Sequence, residues 1–391
     1  MGPSPNLAPA PVRIPYLDGL RGVAVLMVVA DHFLQNLFYP AAHPGSWYIP
    51  FHHLLDLGWI GVDLFFVLSG YLLGGILLDH RCAPNLFPIF YLRRAARILP
   101  VYFVLLLPLL LVPLTGLGRQ IPALGKLVDT GAIPAWTYPL FLQNFAMAVQ
   151  ASWGEAWIAP TWSLAVEEQF YLLLPLLVRF VPVARLPGVL LALIAAAPLV
   201  RVACLGFENA TREEISAYAL LPARWDSLFL GALAAWALRD RFWRDWLAQR
   251  PGVLRTVLGT TFAITAGFAV FAPSLHDRFT HTVGFSVFGV LFAAAILCGH
   301  FGILPGARWF EGTVLRFFGR ISYALYLCHI PVSGVVFYAV AGRARSLNNA
   351  TDLALIALSF VASVAVAAVS WRWFERPILA WAQRWRYQAA S

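Results

Sequence analysis

An arginine and a histidine lie eleven residues apart in one apolar stretch, Arg21 and His32. At about 100° per residue, that interval makes three helical turns plus about 20°, so both side chains share one helix face, about 16 Å apart along the axis. Asp18 opens the same stretch, and Asp31 sits on a face next to that of His32. Ionisable groups inside an apolar segment are costly and mark either a function or a partner. Here Arg21 could simply anchor the segment at an interface while His32 packs with a hydrogen bond, or the pair could line a reaction path. Further on, Asp63 stands in the run Gly61-Val62-Asp63-Leu64-Phe65-Phe66-Val67-Leu68-Ser69-Gly70-Tyr71 and calls for an Arg or His from another helix. Ser69 and Gly70 permit close helix approach, which explains them as well as chemistry would. Glu167 and Glu168 enter a third apolar run just after Trp162-Ser163-Leu164. One of them could face a polar cavity while the other reaches water, or the segment could be a helix cap with Ser163 near its start. Arg93, Arg94 and Arg97 crowd one short segment, and Arg93 and Arg97, four apart, share a face. Such a face can grip phosphates, although membrane topology alone would also gather arginines there. Arg201 and Arg224 fall in or at the ends of other apolar runs, and His43, His52 and His53 match no metal-site spacing.

Only a membrane-embedded scaffold can position these groups. Of the 391 residues, 60% are hydrophobic and 12% charged, about half the charge content of an ordinary soluble domain. The net charge of +9 does not indicate nucleic acid, because the basic residues sit in short connections between apolar runs. Lys126 is the only lysine. The four cysteines, Cys82, Cys204, Cys298 and Cys328, are scattered and read as small apolar fillers. The expected fold is all-α, a polytopic transmembrane bundle of about ten spans: 18–37, 57–78, 98–115, 162–181, 189–205, 218–238, 257–271, 283–299, 317–340 and 353–371. Residues 138–149 read as a re-entrant or interfacial piece. Placing both termini in the cytoplasm puts the Arg-rich segments 81–97, 239–255 and 308–320 inside, and leaves 38–56, without Lys or Arg, outside. The Pro-rich N-terminus, 1–15, does not read as a signal peptide, because the long apolar run behind it contains Arg21 and His32. The membrane domain is expected to span 16–377, followed by a basic tail, 378–391.

Taken together, these segments resemble the acyltransferase 3 family of bacterial membrane O-acyltransferases. The resemblance is carried by Tyr16-Leu17-Asp18-Gly19-Leu20-Arg21-Gly22 with His32 beyond it, by the Gly61–Tyr71 run, by the Tyr91–Pro100 basic segment, and by Trp162-Ser163-Leu164 with Glu167. Later matches are Gly319-Arg320-Ile321-Ser322-Tyr323 leading to His329, and Phe374-Glu375-Arg376-Pro377. They run in family order over nearly the whole chain. Some members carry an additional extracytoplasmic hydrolase-like domain at the C-terminus, which this sequence is expected to lack. The resemblance implies a protein of the bacterial cytoplasmic membrane that transfers an acyl group, often acetyl, from acyl-CoA to a hydroxyl. Acceptors in the family include cell-surface glycans, lipid-linked or lipopolysaccharide sugars, and macrolides. Neither a metal nor a nucleic-acid partner is implied. Arg21 and His32 correspond to the family's Arg-and-His pair.

On that basis Arg93, Arg94 and Arg97 would hold the nucleotide phosphates, and the pantetheine arm would pass Arg21 to deliver the thioester near His32. His32 would be the general base, since imidazole titrates near neutrality. Asp63 or Glu167 would orient the ring, with Ser69 or Trp162 as oxyanion donors. A covalent route through His32 or Ser69 stays open beside direct attack. Two other classes compete: a transporter or flippase for a lipid-linked glycan or small molecule, which would need no acyl donor, and a membrane sensor, which would bind without turnover.

Overall fold

The computed structural model describes residues 14–34, 57–120, 125, 128–207, 209–271 and 279–388. His43, His52, His53, Lys126, residues 1–13 and the last three residues of the tail, 389–391, therefore lie outside the described residues. The structure is all-helical, with no strand among the described residues. In chain order the helices are α1 (Pro15–Leu34), α2 (Gly61–Asp79), α3 (Leu86–Thr115), α4 (Gln143–Gln150), α5 (Trp162–Phe180), α6 (Leu186–Cys204), α7 (Ala210–Ala219) and α8 (Leu221–Ala237). They continue as α9 (Arg241–Ala248), α10 (Pro251–Phe271), α11 (Phe285–His300), α12 (Thr313–Ala341), α13 (Ala350–Ser370) and α14 (Arg376–Ala382).

Nine of the ten apolar runs fall on a single helical segment over their described residues, and the tenth, 218–238, is divided between two. Six helical segments are long and apolar enough to cross a membrane: Leu57–Asp79, Leu86–Thr115, Leu186–Cys204, Thr280–His300, Thr313–Ala341 and Ala350–Ala382. Helices α1 and α5 are long enough but carry three charged residues each, Asp18, Arg21 and Asp31 in one, Glu167, Glu168 and Arg179 in the other. Helix α8 has 17 residues. Two boundaries depart from the expected ones. The basic segment is not a connection: α3 begins at Leu86, so Arg93, Arg94 and Arg97 occupy its first turns. The run 218–238 is broken at Leu220, whose extended backbone separates α7 from α8, with Pro222 at the start of the new helix. The short piece 138–149 resolves into a bend and the two-turn helix α4.

Two backbone-to-backbone crossings organise the bundle. Helices α1 and α12 run parallel, and a Cβ on Gly22 would come within 2.1 Å of the Leu315 carbonyl oxygen, one on Gly319 within 1.8 Å of that of Asp18. Helices α2 and α8 cross through Gly70 and Gly231 in the same way, at 1.8 Å and 2.0 Å from opposing carbonyl oxygens. In lipid, where burial of apolar side chains gives no net drive between helices, such close approach supplies the packing and dispersion that hold helices together.

The second crossing is reinforced by charge. Arg224 of α8 donates to Asp63 of α2 at 2.8 Å, both side chains wholly buried, and Ser227 donates to the same carboxylate oxygen. Arg224 also lies 3.8 Å over the Phe285 ring and 4.9 Å over that of Tyr218. One turn away, buried Arg201 of α6 pairs with Asp226 at 2.9 Å, and Ser286 of α11 donates to the same acid. These contacts tie α2, α6, α8 and α11 into one block.

Gly70→Val should therefore force α2 from α8 and lower the thermal midpoint of the detergent-solubilised protein, with an overpacking cost of at least about 1–3 kcal/mol. Gly259→Ala on α10, where an added Cβ meets nothing within 4 Å, should leave the midpoint unchanged or raised. Equal effects of the two would contradict the close crossing.

Candidate active site

Ten residues beyond Gly22 on α1 lies His32, and ten beyond Gly319 on α12 lies His329. Because the helices are parallel and touch at these glycines, equal advance brings the two imidazoles together. His32 Nδ1 and His329 Nε2 are 3.0 Å apart, with ring centroids separated by 5.0 Å. His329 is fully buried, and its Nδ1 lies 3.1 Å from the Leu325 carbonyl oxygen. A carbonyl only accepts, so His329 Nδ1 carries the proton. Its Nε2 in the neutral ring then accepts, and His32 Nδ1 must donate to it. His32 is thereby held with a lone pair on Nε2, the state a general base requires. The ring is oriented by another histidine, not by a carboxylate.

Asp63, expected as one partner of His32, is committed to Arg224 and Ser227 instead. Glu167 is also engaged elsewhere: it accepts from Ser69 Oγ at 2.6 Å and from Tyr171 at 2.9 Å. Ser69, Glu167 and Tyr171 line a cavity of about 110 Å³ enclosed by α1, α2, α3, α5 and α12. Arg21, Arg94 and Arg97 line its basic end. Arg21 pairs loosely with Asp18 at 3.9 Å, and Arg97 reaches Glu375 at 3.4 Å. Three guanidinium groups facing one space, with Glu167 the carboxylate in its wall, make an anion-attracting mouth. Arg93 is turned away: it donates to the Trp385 carbonyl at 2.6 Å and lies over the Tyr387 ring. The face that meets the cavity is thus that of Arg94 and Arg97, three apart, and Arg93 fastens the C-terminal tail.

At the other end of the cavity stands Tyr326. Its hydroxyl is 2.6 Å from Ser163 Oγ and donates to the Pro160 carbonyl at 2.9 Å, while its ring is 6.2 Å from that of His329. Tyr326 thus belongs both to the arginine-mouthed cavity and to the histidine pair. Trp162 lies outside the cavity wall, packed on Tyr218 and Phe66. Among the described residues no group of His, Cys, Asp and Glu could hold a metal.

Spacing along the chain assigns no chemistry to His329, Tyr326 or Tyr171, and gives Ser163 only the place of a cap. One signal was there: a glycine followed ten residues later by a histidine occurs in both helices. Ser163 makes no cap bond and instead joins Tyr326 and the Pro160 carbonyl.

A family model described as an acyltransferase domain matches residues 14–372. The chain is 27% identical over 387 residues to the O-acetyltransferase OatA of Staphylococcus aureus, covering 94% of this chain and 58% of that protein. It is 30% identical over 380 residues to the acyltransferase MdmB of Streptomyces mycarofaciens, covering 91% of this chain and 90% of that one. The chain thus spans little more than half the length of the OatA relatives it matches. No solved structure matches. With the six membrane-length apolar helices, the match makes this a multi-pass membrane protein.

Two outcomes follow from the geometry alone. Nitrogen-15 spectra of histidine-labelled protein should show His32 protonated at Nδ1 with a bare Nε2, and His329→Ala should remove that preference; a His32 protonated at Nε2 in the native protein would contradict the hydrogen-bond chain. Asp63→Ala should cost about 3–5 kcal/mol of stability, because it strands a buried guanidinium. An Asp63→Ala protein with native melting behaviour would show that the ion pair does not hold α2 to α8.

Proposed function

As the chain belongs to the acyltransferase 3 family, we propose that it is a membrane O-acyltransferase in which acyl-CoA enters at the arginine mouth and a hydroxyl acceptor is activated by His32. The single observation that carries this is the link, through Tyr326, between an arginine-lined cavity and a histidine pair whose hydrogen bonds leave His32 Nε2 unprotonated. Arg94 and Arg97 take the nucleotide phosphates, and Arg21 takes the pantetheine end or the pyrophosphate, depending on how deep the donor seats. Bidentate guanidinium contacts suit phosphate oxygens. About ten spans with both termini in the cytoplasm would put this mouth on the cytoplasmic face of the bacterial inner membrane, where acyl-CoA is available.

The chemistry follows in two bond changes. His32 Nε2 takes the proton of the acceptor hydroxyl as its oxygen attacks the thioester carbon. The tetrahedral intermediate collapses with cleavage of the C–S bond, and the imidazolium returns its proton to the departing thiolate. His329 holds the His32 ring throughout and helps carry the transient positive charge. The Tyr326 and Ser163 hydroxyls, at the junction of the cavity and the histidine pair, would turn their protons from the Pro160 carbonyl to the thioester oxygen as negative charge grows on it. The acceptor is a sugar-containing or macrolide-type molecule, and acetyl is the favoured acyl group because the OatA relatives are named O-acetyltransferases.

A covalent variant is favoured by one observation, the 2.6 Å bond from Ser69 Oγ to Glu167 within the cavity. Here Ser69 Oγ would attack the thioester carbon as Glu167 takes its proton, and the C–S bond would break with that proton passed to the departing CoA thiolate. The acceptor hydroxyl, giving its proton to His32, would then take the acyl group from the serine, whose oxygen is reprotonated as the ester bond breaks. Incubation with labelled acetyl-CoA and no acceptor, followed by peptide mass analysis, separates the routes: a labelled Ser69 peptide establishes the covalent one.

The decisive test is transfer of label from acetyl-CoA to a mixed panel of glycan and macrolide acceptors by detergent-purified protein. His32→Ala should lower turnover by about 10²–10⁴, the usual contribution of a general base, with the protein still folded and still binding acetyl-CoA. Arg94→Ala with Arg97→Ala should raise the KM for acetyl-CoA far more than that for the acceptor. Near-native turnover by His32→Ala would sink the assignment of the base. Movement of a substrate across vesicles without any acyl donor would favour a transporter.

A further inference from the structure

The loop between α12 and α13 carries two arginines with opposite fates. Arg343 is spent on structure: it donates to Asp352 and Ser346, while Asp352, wholly buried, also accepts from the Ser346 hydroxyl and the Asn348 backbone N–H, each at 2.9 Å. Asn349 caps α13 by accepting from the Asp352 N–H. Gly342, at φ +65°, ends α12 in a conformation that side chains resist, and Leu347 packs into the apolar seam of α1, α12 and α13. The loop is therefore held in one shape.

Arg345 projects from this fixed loop over the Phe33 ring, its guanidinium carbon 5.7 Å from the centroid. It lies within electrostatic reach of both His32 and His329. No carboxylate pairs with it among the described residues, and its Nη1 is buried without a hydrogen-bond partner. Desolvation by burial lowers its pKa. An unpaired, partly desolvated guanidinium costs free energy that a bound anion would offset. One turn beyond His329 toward this loop, Ser333 is fully buried, and its hydroxyl likewise has no partner. Helix α12 passes from Gly319 and Arg320, near the arginine mouth, through His329 to its end at Ala341, so Ser333 and Arg345 lie past the histidine pair, away from the mouth.

We propose that Arg345, with the Ser333 hydroxyl, forms an anion-binding anchor for the acceptor, so that the protein selects hydroxyl compounds carrying a carboxylate or phosphate near the acylated position. This rests on the acyltransfer function above. A guanidinium fixed beside the base would orient such an acceptor with its hydroxyl toward His32 Nε2, while the donor approaches from the other end. Donor and acceptor then never compete for the same arginines.

The test uses the full chain in nanodiscs with three probes: octyl β-D-glucuronide, octyl β-D-glucopyranoside 6-phosphate and the neutral octyl β-D-glucopyranoside. Binding of each is measured calorimetrically without acetyl-CoA, and transfer from labelled acetyl-CoA is measured in parallel. At least one anionic glycoside should bind about tenfold or more tighter than the neutral one, a difference of about 1.4 kcal/mol. Preference for the glucuronide or for the phosphate identifies the natural charge. Arg345→Gln should erase the preference, Arg345→Lys should keep part of it, and Ser333→Ala should weaken it, all with unchanged affinity for acetyl-CoA. Equal binding of the three probes by the native protein, including no binding, would overturn the anchor, as would a preference that survives Arg345→Gln. A charge preference that depends on Arg345 in a protein that neither binds nor turns over acetyl-CoA would uphold the anion site and overturn the acyltransferase function. Transfer to all three glycosides alike would do the reverse.

Discussion

The parallel contact of α1 with α12 at Gly22 and Gly319 is the constraint on which the site depends. Two helices whose backbones touch cannot slide without opening a gap or a clash, so the register at the glycines is carried to His32 and His329, ten residues on. A side chain at either glycine would separate the helices and, with them, the imidazoles. The hydrogen-bond chain from the Leu325 carbonyl through His329 to His32 then fixes which nitrogen is bare. A packing contact near one end of the bundle thus sets a protonation state deep within it.

Charges in this protein fall into two groups by partnership. Arg201 and Arg224 are wholly buried, and each has a carboxylate, a carbonyl and the Phe285 ring beside it. Much of their cost is offset within the fold, although Arg224 Nε and Asp63 Oδ2 are buried without a hydrogen-bond partner among the described residues, and they brace α2, α6, α8 and α11. The arginines at the cavity mouth are satisfied only in part: Arg21 has a long contact with Asp18 and Arg97 one with Glu375. An incompletely neutralised cluster around a cavity is suited to an anionic ligand, whereas a neutralised one is suited to holding helices. The same distinction separates Arg343 from Arg345, two residues apart in one loop.

The cavity and the histidine pair are joined through α12. Tyr323 donates to the Ile98 carbonyl of α3, near the arginines. Three residues on, Tyr326 meets Ser163, and three beyond that stands His329. Each step of three shifts direction by about 60°, so these side chains follow a shallow spiral along α12 from the mouth to the base. This spiral lets one rigid element set the distance between a donor seat and the catalytic ring.

From the chain alone came the helical class, the course of most apolar runs, the membrane setting and the need of several charges for partners. Those conclusions rest on local quantities, run length, composition and the 100° step, which one chain supplies. Spacing within a helix placed Arg21 and His32 on one face and marked Glu167 as able to meet a cavity. Tertiary structure alone decided who pairs with whom. Asp63 joins Arg224 across 161 residues and His32 joins His329 across 297, and no periodicity along the chain encodes which helices cross. The same ignorance put Asp63 beside His32 as an alternative to Glu167, when the glycine contacts send α2 to α8. It also made a connection of the first turns of α3, because arginines interrupt an apolar pattern without interrupting a helix. Partner choice belongs to helix crossings, and crossings are set by where two backbones can touch.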